Sequence, residues 1–269
     1  RETFTESDDP ELYRIRHSLA HVLAQAVLTL RPGSTLGFGP PIADGFYYDF
    51  ILSEPFAETD FPKIQKEMKR IIKKGQPFEQ EDLPADAAFA RLDEMGEPYK
   101  REYAGELVEK NGLDGLRFFT NGNFVDMCEG PHVENTRHLP LGSFKVRALA
   151  GAYWRGDERN VQMTRIYCWA FKTKEDLEAH ERQWKDAQAR DHKKLGKELD
   201  IFVIDEAIGK GLPLWLPNGT VLRDELEKLA KELEWKHDYQ RVATPHLTKE
   251  DLYFQTGHLP YYEDGLYPA

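Results

Sequence analysis

Cysteine is scarce. Only Cys128 and Cys168 occur in 269 residues, too few for a disulfide framework, and a reducing cytoplasm is the expectation. Long apolar runs are missing as well. None approaches the roughly 18–20 residues of a membrane span, and the polar, acidic stretch from Arg1 to Glu11 contains no apolar core of a secretory signal. Excess positive charge is absent: 36 Lys and Arg stand against 47 Asp and Glu, a net charge of −11. That excludes a broad basic surface for non-specific nucleic-acid binding but leaves room for a local basic site. There is neither an internal repeat nor a low-complexity segment. What remains, 40% hydrophobic and 31% charged, reads as one to two folded domains.

Apolar residues Leu19, Val22, Leu23, Ala26, Val27 and Leu30 recur at helical spacing and predict a first helix over Arg16 to Leu30, stopped by Pro32-Gly33. Alternating aromatics predict a strand from Phe46 to Ile51. Phe61 to Lys74 reads as a helix rich in lysine, either a solvated face or a phosphate-facing stripe. Ala85 to Gly96 reads as a third helix, followed by a turn at Glu97-Pro98. Strands are expected over Leu116 to Val125, interrupted at Asn121-Gly122, and over Phe144 to Leu149 and Val161 to Phe171. Cys168 belongs to the last of these as a core residue. Lys174 to Leu199 reads as one long charged helix joining two α+β bodies. Beyond it come a short strand from Ile201 to Ile204, an amphipathic helix from Thr220 to Tyr239, and a strand from Val242 to Leu247 containing Pro245.

His17 and His21 stand one helical turn apart, either as a structural pair or as ligands. Ser18 occupies the place where a helical zinc protease motif carries glutamate, so that motif is absent. In Asp126-Met-Cys128-Glu-Gly-Pro-His132, Gly130-Pro131 forbids a regular helix and turns Cys128 and His132 the same way. Two histidines on a helix with Cys and His on a loop form a set of ligand types that suits tetrahedral zinc. A turn with a buried free cysteine is the plain alternative.

Taken together, His17-Ser-Leu-Ala-His21 and Cys128-Glu-Gly-Pro-His132 resemble the editing domain of the threonyl-tRNA synthetases, a pattern shared with alanyl relatives and free-standing editing proteins. Gly39-Pro-Pro-Ile-Ala-Asp-Gly-Phe-Tyr-Tyr-Asp49, Val125 to Val133, Ala150-Gly-Ala-Tyr-Trp-Arg-Gly-Asp157 and Ala189 to Asp200 are similar to the threonyl type. Gly219 to Pro245 is similar to class II synthetase motif 1, a helix and a proline-containing strand that build the dimer interface in that family, and Thr256-Gly-His258 also matches.

The resemblance implies an α+β chain: an editing domain of mixed sheet and helices over residues 1–172, a connector helix over 173–198, and over 199–269 the start of an antiparallel-sheet class II catalytic domain. It implies hydrolysis of seryl-tRNA(Thr) by a site containing His17, His21, Lys100, Asp126, Cys128 and His132, with Tyr48 as a substrate contact or a core residue. A free-standing deacylase and a non-catalytic zinc-stabilised RNA-binding module are the alternatives. Editing in the threonyl family is expected to run without a metal. If one is bound, His17, His21, Cys128 and His132 are the ligands. For the full-length enzyme the resemblance implies ATP, Mg²⁺, a catalytic Zn²⁺, tRNA(Thr) and a homodimer, with no membrane partner. The chain stops at Ala269, before the segments that carry motifs 2 and 3 in the family, so threonine activation is not expected of this portion. Local basic elements, namely the helix from Lys63 to Lys74 with Arg14, Arg16 and Arg155, are expected to meet the RNA.

Overall fold

A computed structural model of the chain describes residues 4–246, 248–262 and 265. Two compact units emerge, Arg1–Asp186 and Ala187–Ala269. In the first, helix α1 (Pro10–Leu30) begins six residues before the expected start. Asp9 caps it, its side chain accepting from the Leu12 amide at 3.1 Å, and Pro10 supplies a preset φ at the first helical position. All residues from Ile15 to Val27 are buried, so α1 is a central helix and not a surface helix with one apolar stripe.

There follow β1 (Thr35–Leu36), β2 (Pro41–Ile42), β3 (Gly45–Ile51), α2 (Phe61–Lys74), β4 (Glu79–Pro84), α3 (Ala85–Met95), α4 (Pro98–Asn111), β5 (Gly115–Asn121), β6 (Phe124–Met127), β7 (Phe144–Tyr153) and β8 (Gln162–Ala170). Strands β1, β3, β8 and β7 lie side by side in that order, β2 also pairs with β3, and all pairings are antiparallel. Ile64, Met68, Ile71 and Ile72 of α2 pack with α1 and with Phe46, Phe50, Ile166 and Cys168 of this sheet. Fully burying each such side chain contributes about 1.5–3 kcal/mol. A second, smaller core joins Ala88, Leu92 and Ala104 of α3 and α4 to Leu116, Phe118 and Met127 of the sheet β4-β5-β6.

Several expectations need correction. The interrupted strand from Leu116 to Val125 is a hairpin, with Asn121 paired to Phe124 across Gly122 at φ 65°. Strand β4 carries no signal in the sequence, because four of its six residues are polar and five are exposed, leaving no alternation to read. In place of the turn expected at Glu97-Pro98, Pro98 occupies the first turn of helix α4, which no clear apolar stripe announces. The long connector helix is two helices, α5 (Lys174–Ala189) and α6 (His192–Glu198). Asp191 separates them by capping α6, accepting from the Lys193 and Lys194 amides at 2.9 and 3.1 Å.

In the second unit β9 (Phe202–Ile204) pairs with β10 (Pro213–Trp215), followed by α7 (Pro217–Lys236) and α8 (Asp251–Gln255). The expected strand containing Pro245 is not formed over residues 242–246, and Leu247 lies outside the described residues. No strand pairs with this segment among the described residues. Leu222, Leu226, Leu229 and Leu233 of α7 are all exposed. Among the described residues no helix is long and apolar enough to cross a membrane.

At the start of β3, a Cβ on Gly45 would lie 2.0 Å from the Cys168 carbonyl oxygen across the β3–β8 pairing. Gly45→Ala is therefore expected to push these strands apart and destabilise the first unit by about 1–3 kcal/mol or more. A lower urea midpoint with an unchanged slope is the expected reading; an unchanged midpoint would contradict the close packing.

Candidate active site

The buried stretch of α1 presents His17 and His21 with ring centroids 5.4 Å apart. Opposite them, β6 delivers Asp126 and then runs into the Cys128–His132 loop. The Cys128 amide donates to the Arg117 carbonyl at 3.1 Å, keeping the loop root on β5. Gly130 adopts φ 72°, and the turn returns His132 to α1, where its ring lies 4.2 Å from His17 and 4.3 Å from His21. Phe78 stacks on His132 at 4.7 Å. Ser18 ties loop to helix: its Oγ accepts from the Val133 amide at 3.0 Å and lies 3.1 Å from His132 Nδ1. This role was not foreseen, since a serine between two histidines carries no signal of a partner more than a hundred residues away.

Burial decides the protonation of this half of the site. It lowers His17 to about 4, with Asp126 opposing, and holds His21 and His132 well below the ordinary histidine value. It pushes the Cys128 thiol up to about 12. The group is thus three neutral imidazoles and a thiol. Cys128 Sγ lies 3.2 Å from His132 Nε2, so the S–H donates to Nε2 and the Nδ1–H is free to donate to Ser18, a tautomer assigned from the network.

The other half is charged. Lys100 of α4 forms an ion pair with Asp126 and donates to the Met127 carbonyl at 3.4 Å. The Tyr48 hydroxyl of β3 donates to Asp126 Oδ2 at 2.6 Å, and His21 Nε2 lies 3.5 Å from the same oxygen. Lys100, Asp126, Tyr48 and His21 are all at most 2% exposed. Desolvation by burial, with the Asp126 carboxylate beside it, raises the Tyr48 phenol well above its usual range and keeps it a donor. Gly39 lets the preceding loop approach Tyr48, whose ring would be 2.1 Å from a Cβ there.

A cavity of ≈ 550 Å³ lies between the halves, lined by His17, His21, Tyr48, Lys100, Asp126 and Cys128 together with Tyr13, Phe38 and Tyr47. His132 stands behind Cys128 and is not part of its wall. The size is that of an ordinary small-ligand site. One unforeseen residue buttresses it: buried Glu97 accepts from the Leu36 amide at 2.7 Å, joining the start of α4 to β1.

One donor atom from each of His17, His21, Cys128 and His132 lies within 4.8 Å of all the others, so the cluster could hold a metal ion. The Nδ1 atoms of His17 and His21 are buried without hydrogen-bond partners, and nitrogen and sulfur donors suit zinc. Tetrahedral zinc bonds of about 2.0–2.3 Å would require the four to draw slightly closer and Cys128 to surrender its proton.

The expected basic elements divide. Lys63, Lys66, Arg70, Lys73 and Lys74 are exposed on α2, where Lys63 pairs with Asp60 and Arg70 with Glu67. Arg14 is half exposed beside Glu6. Arg16 corrects the expectation: it is 1% exposed and donates to the Ala170 and Ile42 carbonyls, each at 3.0 Å, so it is a core residue that no phosphate reaches. Arg155 is occupied by Glu102 and Glu106.

The family described as "Threonyl and Alanyl tRNA synthetase second additional domain" matches residues 116–167, which include Asp126, Cys128 and His132. The threonine–tRNA ligase of Gloeobacter violaceus is 44% identical over 264 residues, covering 98% of this chain and 42% of the relative. That of Rubrobacter xylanophilus is 42% identical over 267 residues, 98% of this chain and 40% of the relative. That of Mycolicibacterium smegmatis is 44% identical over 267 residues, 95% of this chain and 39% of the relative. The chain thus spans about two fifths of the length of these relatives.

Two outcomes follow from the buried charges. Asp126→Asn strands the Lys100 ammonium and is expected to cost about 3–5 kcal/mol of stability, whereas Tyr48→Phe, which removes one hydrogen bond to a carboxylate, should cost about 1.5–3 kcal/mol; denaturant titration of both variants checks the order. Burial raises Glu97 to about 7 against an ordinary 4.5. The folded state therefore holds a proton that the unfolded chain has released between about pH 4.5 and 7, and stability falls as pH rises through that window. Glu97→Gln should flatten this part of the stability–pH curve, and an unaltered slope would refute the assignment.

Proposed function

The chain is a homologue of the threonine–tRNA ligases over nearly its whole length, and on that premise we propose that its first unit hydrolyses the ester of seryl-tRNA(Thr), a proofreading reaction. The observation that carries the reading is the convergence of His17, His21, Lys100, Asp126 and Cys128 on the walls of one cavity. Threonine and serine differ by a methyl group, which discriminates by only about 1–3 kcal/mol. A synthetic site that accepts threonine therefore also charges serine, and a second, hydrolytic site removes the error.

Ester hydrolysis needs an oriented water, a stabilised oxyanion and a proton for the departing ribose oxygen. His17, neutral and at the cavity wall, orients the water through a ring nitrogen. Lys100, whose ammonium is fixed by Asp126, faces the developing oxyanion or protonates the leaving oxygen. Asp126 holds Lys100, Tyr48 and His21 in register, and Cys128, backed by His132, lines the cavity. Should a zinc ion bind, His17, His21, Cys128 and His132 would hold it, and it would supply an acidified water. We propose that hydrolysis is metal-free. This is supported by the Lys100 ammonium, which opposes a nearby dication, and by the Cys128 thiol already partnered by His132. The compact four-donor cluster favours a second reading, a zinc-stabilised RNA-binding module without catalysis.

For the whole protein we extend the same reading: attachment of threonine to tRNA(Thr) with ATP and Mg²⁺, a catalytic zinc elsewhere, and a homodimer to which the second unit contributes motif 1 and Pro245. The exposed leucines of α7 are consistent with such an interface. The lysines of α2 are assigned to the RNA backbone.

Lys100→Ala and His17→Ala are each expected to slow seryl-tRNA(Thr) hydrolysis about 10²–10⁴-fold, Lys100→Ala with a stability loss of about 3–5 kcal/mol because it strands the Asp126 carboxylate; full activity in both would overturn the site. A strong chelator should leave hydrolysis unchanged. Chelator-sensitive hydrolysis with stoichiometric zinc by elemental analysis would replace the metal-free reading, and tRNA binding without any deacylation would favour the module. Binding should weaken steeply with added salt through counterion release, and charge removal at Lys66, Lys69 and Lys73 should make that dependence shallower.

A further inference from the structure

The segment Ala150 to Asp157 has no part in the chemistry above, yet its geometry is unusual. It forms the far end of the β7–β8 hairpin. Ala150, Gly151 and Tyr153 are exposed there, whereas Trp154 at the tip is again buried, 5% exposed. The tip reaches α4. Trp154 stacks on Phe38 with centroids 5.0 Å apart and planes 12° from parallel, lies 5.3 Å from Tyr99, and donates its indole N–H to Glu102 at 3.3 Å. Arg155 follows with φ 59°, a left-handed conformation that non-glycine residues rarely adopt. It is held there by ion pairs to Glu102 and Glu106. Tyr99, Glu102 and Glu106 recur at three and four residues, so the tip grips one face of α4.

Lys100 lies within the gripped turn. Its ammonium stands 5.9 Å from the Phe38 centroid and 5.6 Å from that of Tyr48. Phe38 is in turn fixed between Trp154 and the edge of Tyr103, 4.7 Å away. Asp126 therefore sets the ammonium from one side, and an aromatic wall backed by Trp154 sets it from the other. A left-handed backbone at the tip of an element that packs on a functional helix is the pattern of a preorganised site.

We infer that Trp154 and Arg155 are positioning residues for Lys100: the hairpin tip clamps α4 and Phe38 so that the ammonium is held at the cavity. The inference rests on the hydrolytic reading of the site. Neither residue lines the cavity, so the clamp acts through Lys100 and Phe38 and is expected in the rate of the chemical step.

Single-turnover hydrolysis of seryl-tRNA(Thr) by the chain tests this, with the rate at saturating protein and the half-saturating concentration measured separately. A displacement of about 1 Å can cost about 10²-fold, so Trp154→Ala is expected to lower the saturating rate about 10–100-fold at an unchanged half-saturating concentration. Trp154→Phe, which keeps a ring against Phe38, should recover most of the rate. Arg155→Gly, which releases the backbone strain and the ion pairs without touching a core, should show a smaller loss of the same kind. A Trp154→Ala rate within twofold of the parent, or a change in half-saturation alone, while Lys100→Ala is inactive, would overturn the clamp and leave the hydrolytic reading standing. If Trp154→Ala fails to fold, Arg155→Gly decides, and an unchanged rate overturns the proposal. A fully active Lys100→Ala overturns the reading of the site and the clamp with it.

Discussion

A lysine ammonium and an aspartate carboxylate are buried together in the first unit, and the rest of the site is arranged around that pair. Lys100 and Asp126 are each almost fully removed from water. Either charge alone would be expelled or neutralised, because isolated charges in a protein interior cost several kcal/mol after all relaxation. Together they persist only if the remaining lone pairs and protons are satisfied. Tyr48 donates to the carboxylate and the Met127 carbonyl accepts from the ammonium. Four elements, α1, β3, β6 and α4, are therefore bound to one point by polar contacts that none of them could make alone.

Beside this charged half lies a neutral one, and the contrast arises from burial. Three histidines and a cysteine share a small volume, and desolvation keeps all four uncharged. Had the imidazoles carried protons, they would repel one another and Lys100. The cavity thus has a fixed cation on one wall and neutral nitrogen on the other. Such a division suits chemistry that needs one group to stabilise negative charge and another to handle water.

The cavity also sits where two cores of the first unit meet. His17, His21 and Tyr48 come from the large core of α1, α2 and the five-stranded sheet. Lys100, Asp126 and Cys128 come from the smaller assembly of α3, α4 and β4-β5-β6. A polar seam runs between them, beside Phe124 of β6, which packs in the larger core. The second unit presents the opposite case, with its β9–β10 pair and α7 leaving large apolar side chains exposed among the described residues.

Local patterning settled much of this in advance. The helical period of Leu19 to Leu30, the Phe61 to Lys74 helix and the aromatic alternation of β3 are properties of neighbouring residues, and the structure retains them. The His-x3-His and Cys-x3-His spacings marked most of the site through family likeness. Other features depend on contacts distant in sequence. Strand β4 exists because β5 pairs with it, not because its charged residues prefer extension. Helix α4 lacks a stripe because its faces serve a core, an ion pair and a hairpin tip at once. Arg16 looked like a surface cation until the Ile42 and Ala170 carbonyls supplied its partners. Ser18 and Glu97 gained their roles only when β1 and the His132 loop came within hydrogen-bond reach. Residue type and spacing state what a side chain can do; burial and distant partners, which exist only in the folded chain, decide its charge and what it touches.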